Sequence, residues 1–136
     1  MIVMNIEKHY ERLGESLEVL DESISKNIVK RQRTIGFNCS IASVDMLEIY
    51  LHNNDLIDPG FIIKHEWLKS KNKIRDKFSF DFQNKEKILE IMGKIEEKRN
   101  GLCYGSPKKD EAVKEVIINF NKLKELFRDM GVKIEK

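Results

Sequence analysis

Between Ile6 and Ile28 the apolar residues Ile6, Tyr10, Leu13, Leu17, Leu20, Ile24 and Ile28 follow one another at steps of 4, 3, 4, 3, 4 and 4. That spacing lines up one stripe of an amphipathic helix and does not fit the two-residue repeat of a strand. Similar spacing returns along most of the chain. From about Thr34 to His52, Ile35, Cys39, Ala42, Met46, Ile49 and Tyr50 recur at helical intervals, and Val44, Leu47 and Leu51 add apolar character on other sides. A helix apolar on more than one face belongs at the centre of its bundle. Its small residues Gly36, Cys39, Ser40, Ala42 and Ser43 would let a neighbour approach closely.

Asp58-Pro59 reads as the start of a third, short helix with Ile62, Ile63, Trp67 and Leu68 inward. A fourth is expected from near Asn84, carrying Ile88, Ile91, Met92, Ile95 and Leu102, with Gly101 and Gly105 bracketing its end. Ser106-Pro107 opens a fifth, with Val113, Val116, Ile117, Phe120, Leu123, Phe127 and Met130 inward and Gly131 as its C-terminal cap. Residues 132–136 read as frayed. Lys71 to Gln83 is the least regular part, and there Phe78, Phe80 and Phe82 alternate with polar residues. One extended segment has no strand to pair with, so these rings either pin a loop or form a dimer surface. The expected fold is an all-α, up-and-down bundle of four or five helices, one domain over 1–136.

Bulk properties narrow the function by exclusion. A chain of 136 residues can bury roughly two thirds of its unfolded surface, so neither a metal nor a disulfide is required to hold it together. Twenty-five Lys and Arg stand against 23 Asp and Glu, and a formal charge of +2 does not call for bulk DNA as a partner. The absence of a long uncharged apolar run and of a signal-peptide pattern at the start points to a cytosolic protein. Cys39 and Cys103 each sit inside an apolar pattern and read as buried free thiols. His9, His52 and His65 make no ligand spacing with them, so no metal and no cofactor are expected. Abundant Lys, Glu and Ile beside only two Gln, Gln32 and Gln83, resemble the composition of thermophile proteins. P-loop, GxSxG, HExxH and CxxC motifs are absent.

Two stretches could carry function. Residues 64–77 hold Lys64, Lys69, Lys71, Lys73, Arg75 and Lys77 against Glu66 and Asp76, a local excess of four positive charges. Such a run is a solvated face or a nucleic-acid contact, with Lys69, Lys71, Lys73 and Arg75 as its binding residues. The second stretch is Arg99-Asn100-Gly101-Leu102-Cys103-Tyr104-Gly105-Ser106-Pro107, with Lys98, Lys108 and Lys109 around it.

An all-α chain of this size, with Arg-Asn late in its penultimate helix and Gly-Ser-Pro opening the last, resembles the HEPN superfamily. Helix order matches over about residues 6–130, and the specific motif covers only Arg99 to Pro107. The family signature is Arg, four to six residues, then His, often with a polar residue after the Arg. The resemblance implies that Arg99 matches the Arg and Asn100 its polar neighbour, and that two copies meet in a homodimer. Where His is expected, after four intervening residues, this chain has Tyr104. Histidine exchanges protons near neutral pH, whereas tyrosine there mainly donates a hydrogen bond. The chain is thus similar to non-catalytic branches of the superfamily. The resemblance implies a module binding RNA, a nucleotide or a minimal nucleotidyltransferase, as in toxin–antitoxin-like pairs. The alternative is a metal-independent endoribonuclease using Arg99, Asn100 and Tyr104 of both copies, with Arg99 binding the phosphate.

The same residues also have plainer structural readings. Arg99 can cap the last carbonyls of its helix, and Tyr104 can bury its ring between the last two helices. His65 sits in the short third helix, where many family members also carry a histidine. It fits a cap or core contact better than catalysis.

Overall fold

A computed structural model of the chain describes residues 6–105 and 110–134. They form five α-helices and one 3-10 turn: α1 (Ile6–Lys26), α2 (Gln32–Asn53), the turn His65–Lys69, α3 (Lys71–Lys77), α4 (Lys85–Tyr104) and α5 (Asp110–Asp129). The described residues contain no strand. No described helix is long and apolar enough to cross a membrane. The all-α bundle expected from the periodicity is the architecture found.

The centre of the bundle is α2, which packs on α1, α4 and α5. Its contacts give the topology. Arg33 and Gly36 meet Cys103 and Leu102 at the end of α4, while Ser40 meets Glu96 one to two turns earlier, so α2 and α4 run antiparallel. Asn84, just before α4, reaches Met130, just after α5, so these two are antiparallel as well. The small residues of α2 act as expected. A Cβ on Gly36 would lie 2.9 Å from Leu102 Cβ, closer than carbon atoms tolerate.

The buried stripe of α1 is turned away from the one the spacing suggests. His9, Leu13, Ser16, Leu20 and Ser23 are buried, whereas Tyr10, Leu17 and Ile28 are half-buried and Ile24 is exposed. Ser16 and Ser23 are small enough to admit α2, and His9 meets buried carboxylates there. Close approach and polar pairing, rather than side-chain apolarity, set the angle of this helix.

Asp58-Pro59 does not open an α-helix. Phe61 N donates to Asp58 O at 2.9 Å, making one turn, and then Ile63 N donates to the carboxylate of Glu48 at 3.0 Å. A buried side chain thus takes a donor that a continuing helix would need, and only the short 3-10 turn forms later. Helix α3 lies instead in the segment read as irregular. Ser70 caps it by accepting from Lys73 N at 3.2 Å. Lys77 Nζ sits 5.2 Å from the Trp67 ring centre, covering that ring with a cation.

Phe78 and Phe82 are buried and Phe80 is half-buried, with ring centres 6.2 and 6.0 Å apart along the series. The rings pin a loop, and the two buried ones are not free to form a dimer surface. Residues 132–134 are not frayed: Val132 and Ile134 are buried, and Val132 N donates to Phe127 O at 2.9 Å beyond Gly131, whose φ is +98°. The Ser106-Pro107 cap and Lys108 and Lys109 lie outside the described residues.

Two substitutions test this packing in urea denaturation. Gly36→Ala pushes Leu102 off α2 and costs about 1–3 kcal/mol. Phe78→Ala empties a fully buried ring site and costs about 3–5 kcal/mol.

Candidate functional site

Three rungs join α2 to α4. In the first, Arg33 Nε donates to Cys103 O at 2.9 Å, and the Cys103 thiol lies 3.6 Å from Arg33 O. In the second, the Arg99 guanidinium lies over the Phe37 ring, 5.6 Å from its centre. In the third, Glu96 Oε1 accepts from Ser40 Oγ and lies 2.7 Å from His65 Nδ1. The rungs form because Glu96, Arg99 and Cys103 recur at helical spacing on one face of α4, and Arg33, Phe37 and Ser40 on the facing side of α2.

Arg99 is half-buried, and its Nε is shielded from solvent with no hydrogen-bond partner among the described residues. The Cys103 carbonyl near the end of its helix takes Arg33 instead. Tyr104 does not bury its ring between the last two helices: it is 73% exposed. Asn100 is exposed too and lies one turn before Tyr104, so both share the solvent face while Arg99 turns toward α2. Within one chain the three motif residues therefore do not converge on a point.

The basic stretch lies elsewhere. Lys69 and Lys71 line a groove of about 840 Å³ whose α4 wall includes Glu86, Glu90 and Glu97. Glu97 and Arg99 are two positions apart on α4, which puts them on opposing sides of the helix. Lys73 and Arg75 are exposed on α3 and do not line that groove. The positive stretch is thus interleaved with carboxylates and is not fused with Arg99.

A larger groove, about 1010 Å³, runs between α1, α2 and the segment before the 3-10 turn. Phe37, His65 and Ile62 line it, together with a polar group absent from the sequence reading. His9 Nδ1 is 2.9 Å from Asp45 Oδ1, and His9 Nε2 is 3.1 Å from Glu48 Oε2. The ring of His52 stacks on that of His9 with centres 6.3 Å apart, and its Nε2 is buried with no partner among the described residues. Asp45 and Glu48 were the available signal. Two carboxylates three residues apart on an otherwise apolar central helix require a buried polar partner.

Burial pushes the Glu48 carboxyl above its ordinary range, against the pull of the Ile63 amide, His9 and Arg12. Burial, then the neighbouring His9, lowers His52. Burial drives the Cys39 thiol up to about 12 and raises Cys103 despite Arg99 and Arg33 nearby, so neither cysteine is a ready nucleophile. Both are free thiols. Among the described residues no group of three His, Cys, Asp or Glu side chains is placed to hold a metal ion.

Against this geometry, comparison with family models, curated proteins and solved structures returns no match for the chain.

The lowered pKa of His52 has a signed consequence. The unfolded chain takes that proton more readily, so the stability due to neutral His52 is present above about pH 6.5 and is lost as pH falls through the depressed value. Glu48, being raised, contributes in the opposite sense: its stability is present in acid and lost as pH rises through the raised value. His52→Gln therefore loses less stability than the wild type between about pH 7 and pH 5, as read by paired urea titrations at the two pH values.

Proposed function

We propose that this chain is a helical-bundle module that binds single-stranded RNA along its α2–α4 edge, in the manner of a non-catalytic HEPN-like domain. The observation that carries the reading is Arg99, a half-buried cation held over the face of the exposed Phe37 ring on the α2–α4 edge. A permanently charged, planar guanidinium at a surface edge is suited to a phosphate oxygen. The surroundings favour a nucleic acid over a lone anion. Phe37 is 42% exposed, giving an aromatic face beside Arg99 on which an unpaired base can stack. Arg33, anchored at Cys103 O, adds a second cation one turn along α2 from Phe37.

The endoribonuclease reading on Arg99, Asn100 and Tyr104 has less support, because Asn100 and Tyr104 face away from the rung that holds Arg99. The resemblance adds a homodimer and a minimal nucleotidyltransferase as partner. A monomer in light scattering removes the first, and co-purification with the product of a neighbouring nucleotidyltransferase gene supports the second.

Arg99→Ala and Phe37→Ala each weaken binding of a labelled mixed-sequence RNA by roughly tenfold in fluorescence anisotropy, in line with the energy of one base–aromatic stack or one charged contact. Joint replacement of Lys71, Lys73 and Arg75 by Ala has a smaller effect that vanishes at raised salt. Undiminished binding by both Arg99→Ala and Phe37→Ala would sink the proposal.

A further inference from the structure

From the third rung we infer that His65 reads the ribose 2′-hydroxyl, making the α2–α4 edge selective for RNA over DNA. The inference rests on the RNA-binding reading above and names the part of the ligand recognised.

Glu96 is buried, its side chain 3% exposed, while that of His65 is 32% exposed. His65 Nδ1 lies 2.7 Å from Glu96 Oε1 and 2.9 Å from Ser40 Oγ, and because a carboxylate only accepts and Ser40 gives its own proton to Glu96, a ring proton belongs on Nδ1. Ser40 donates to the same oxygen and helps to fix it. In the neutral ring this leaves Nε2, on the far side, as an acceptor whose partner is a donor. Backbone packing holds this orientation. A Cβ on Gly93 would meet Leu68 O at 3.0 Å, so the 3-10 turn lies directly on α4. Leu68 sits at Gly93, and His65, one turn away, sits at Glu96.

The spacing suits one nucleotide. Glu96 to Arg99, and Ser40 to Phe37, are each three residues on a helix, about 5 Å along the axis. His65 and Phe37 line one groove, and in the proposed mode a base stacks on Phe37 with its phosphate toward Arg99 and its ribose toward His65. A 2′-hydroxyl there donates to Nε2. Deoxyribose has no such group, and a 2′-O-methyl ribose has the oxygen without its proton.

The ligand series makes the test independent of any variant's folding. Wild-type protein is titrated with one labelled single-stranded sequence as RNA, as DNA and as 2′-O-methyl RNA. RNA is expected to bind roughly tenfold tighter than the other two, the worth of one well-formed hydrogen bond. His65→Ala, checked by its thermal melt, should bind all three at the DNA level. Glu96 is a positioning residue, so Glu96→Gln, which still accepts from Nδ1, should retain the RNA preference that Glu96→Ala loses. Equal binding of all three ligands by wild type overturns the role of His65 and leaves the RNA-binding proposal standing. An RNA preference that survives His65→Ala overturns it too. Failure of every ligand to bind brings down both readings.

Discussion

The two oxygens of the Glu48 carboxylate hold together three parts of the chain. Oε2 faces His9 of α1, Oε1 accepts from the backbone of Ile63, and the side chain itself springs from α2 at the centre of the bundle. Removing a carboxylate from water is costly, and these bonds offset the cost only in part, since burial still holds Glu48 above its ordinary range. That requirement has structural effects well beyond the pair. It turns α1 so that His9 rather than Ile6 or Tyr10 is buried. It stops the segment after Pro59 from coiling further. It also fixes where the chain arrives at Lys64, and so where the 3-10 turn lies on α4.

Much of the architecture was legible because helical spacing is a property of the chain alone. The apolar steps in α2, α4 and α5 needed no knowledge of neighbours, and α2 announced its central place by being apolar on several faces. What was hidden depended on partners distant in sequence. Nothing near Ile63 reveals that its amide will meet Glu48, so Asp58-Pro59 looked like a helix start. In α3, four basic residues with one half-buried Ile74 left no apolar stripe, which concealed the helix that Ser70 caps. The buried faces of Ser16 and Ser23 followed from how near α2 comes, which polarity misrepresents.

The site divides in the same way. Arg99 could be singled out from its place late in a helix, but its orientation toward Phe37 depends on the antiparallel register of α2 and α4. Tyr104, read with it as one motif, is five residues further on and so falls on another face. His65 was read as a cap or core contact, and it does meet buried Glu96, but that partner, 31 positions away, needed the fold to be named. Charge density along the chain was a poor guide: Lys69 and Lys71 share their groove with α4 carboxylates.

The residues after α5 do more than end a helix. Lys133 N donates to the hydroxyl of Tyr10 at 3.2 Å, and Arg128 Nε donates to Ile134 O at 3.3 Å. Helix α1 makes its principal helix contact with α2 alone, through a seam containing two serines and a histidine. A helix docked on one neighbour through a partly polar seam is the natural place for local opening. The clasp at Tyr10 joins that peripheral helix to the segment behind α5. Opening of α1 at Tyr10 therefore breaks a contact to the segment that carries Val132 and Ile134 into the core.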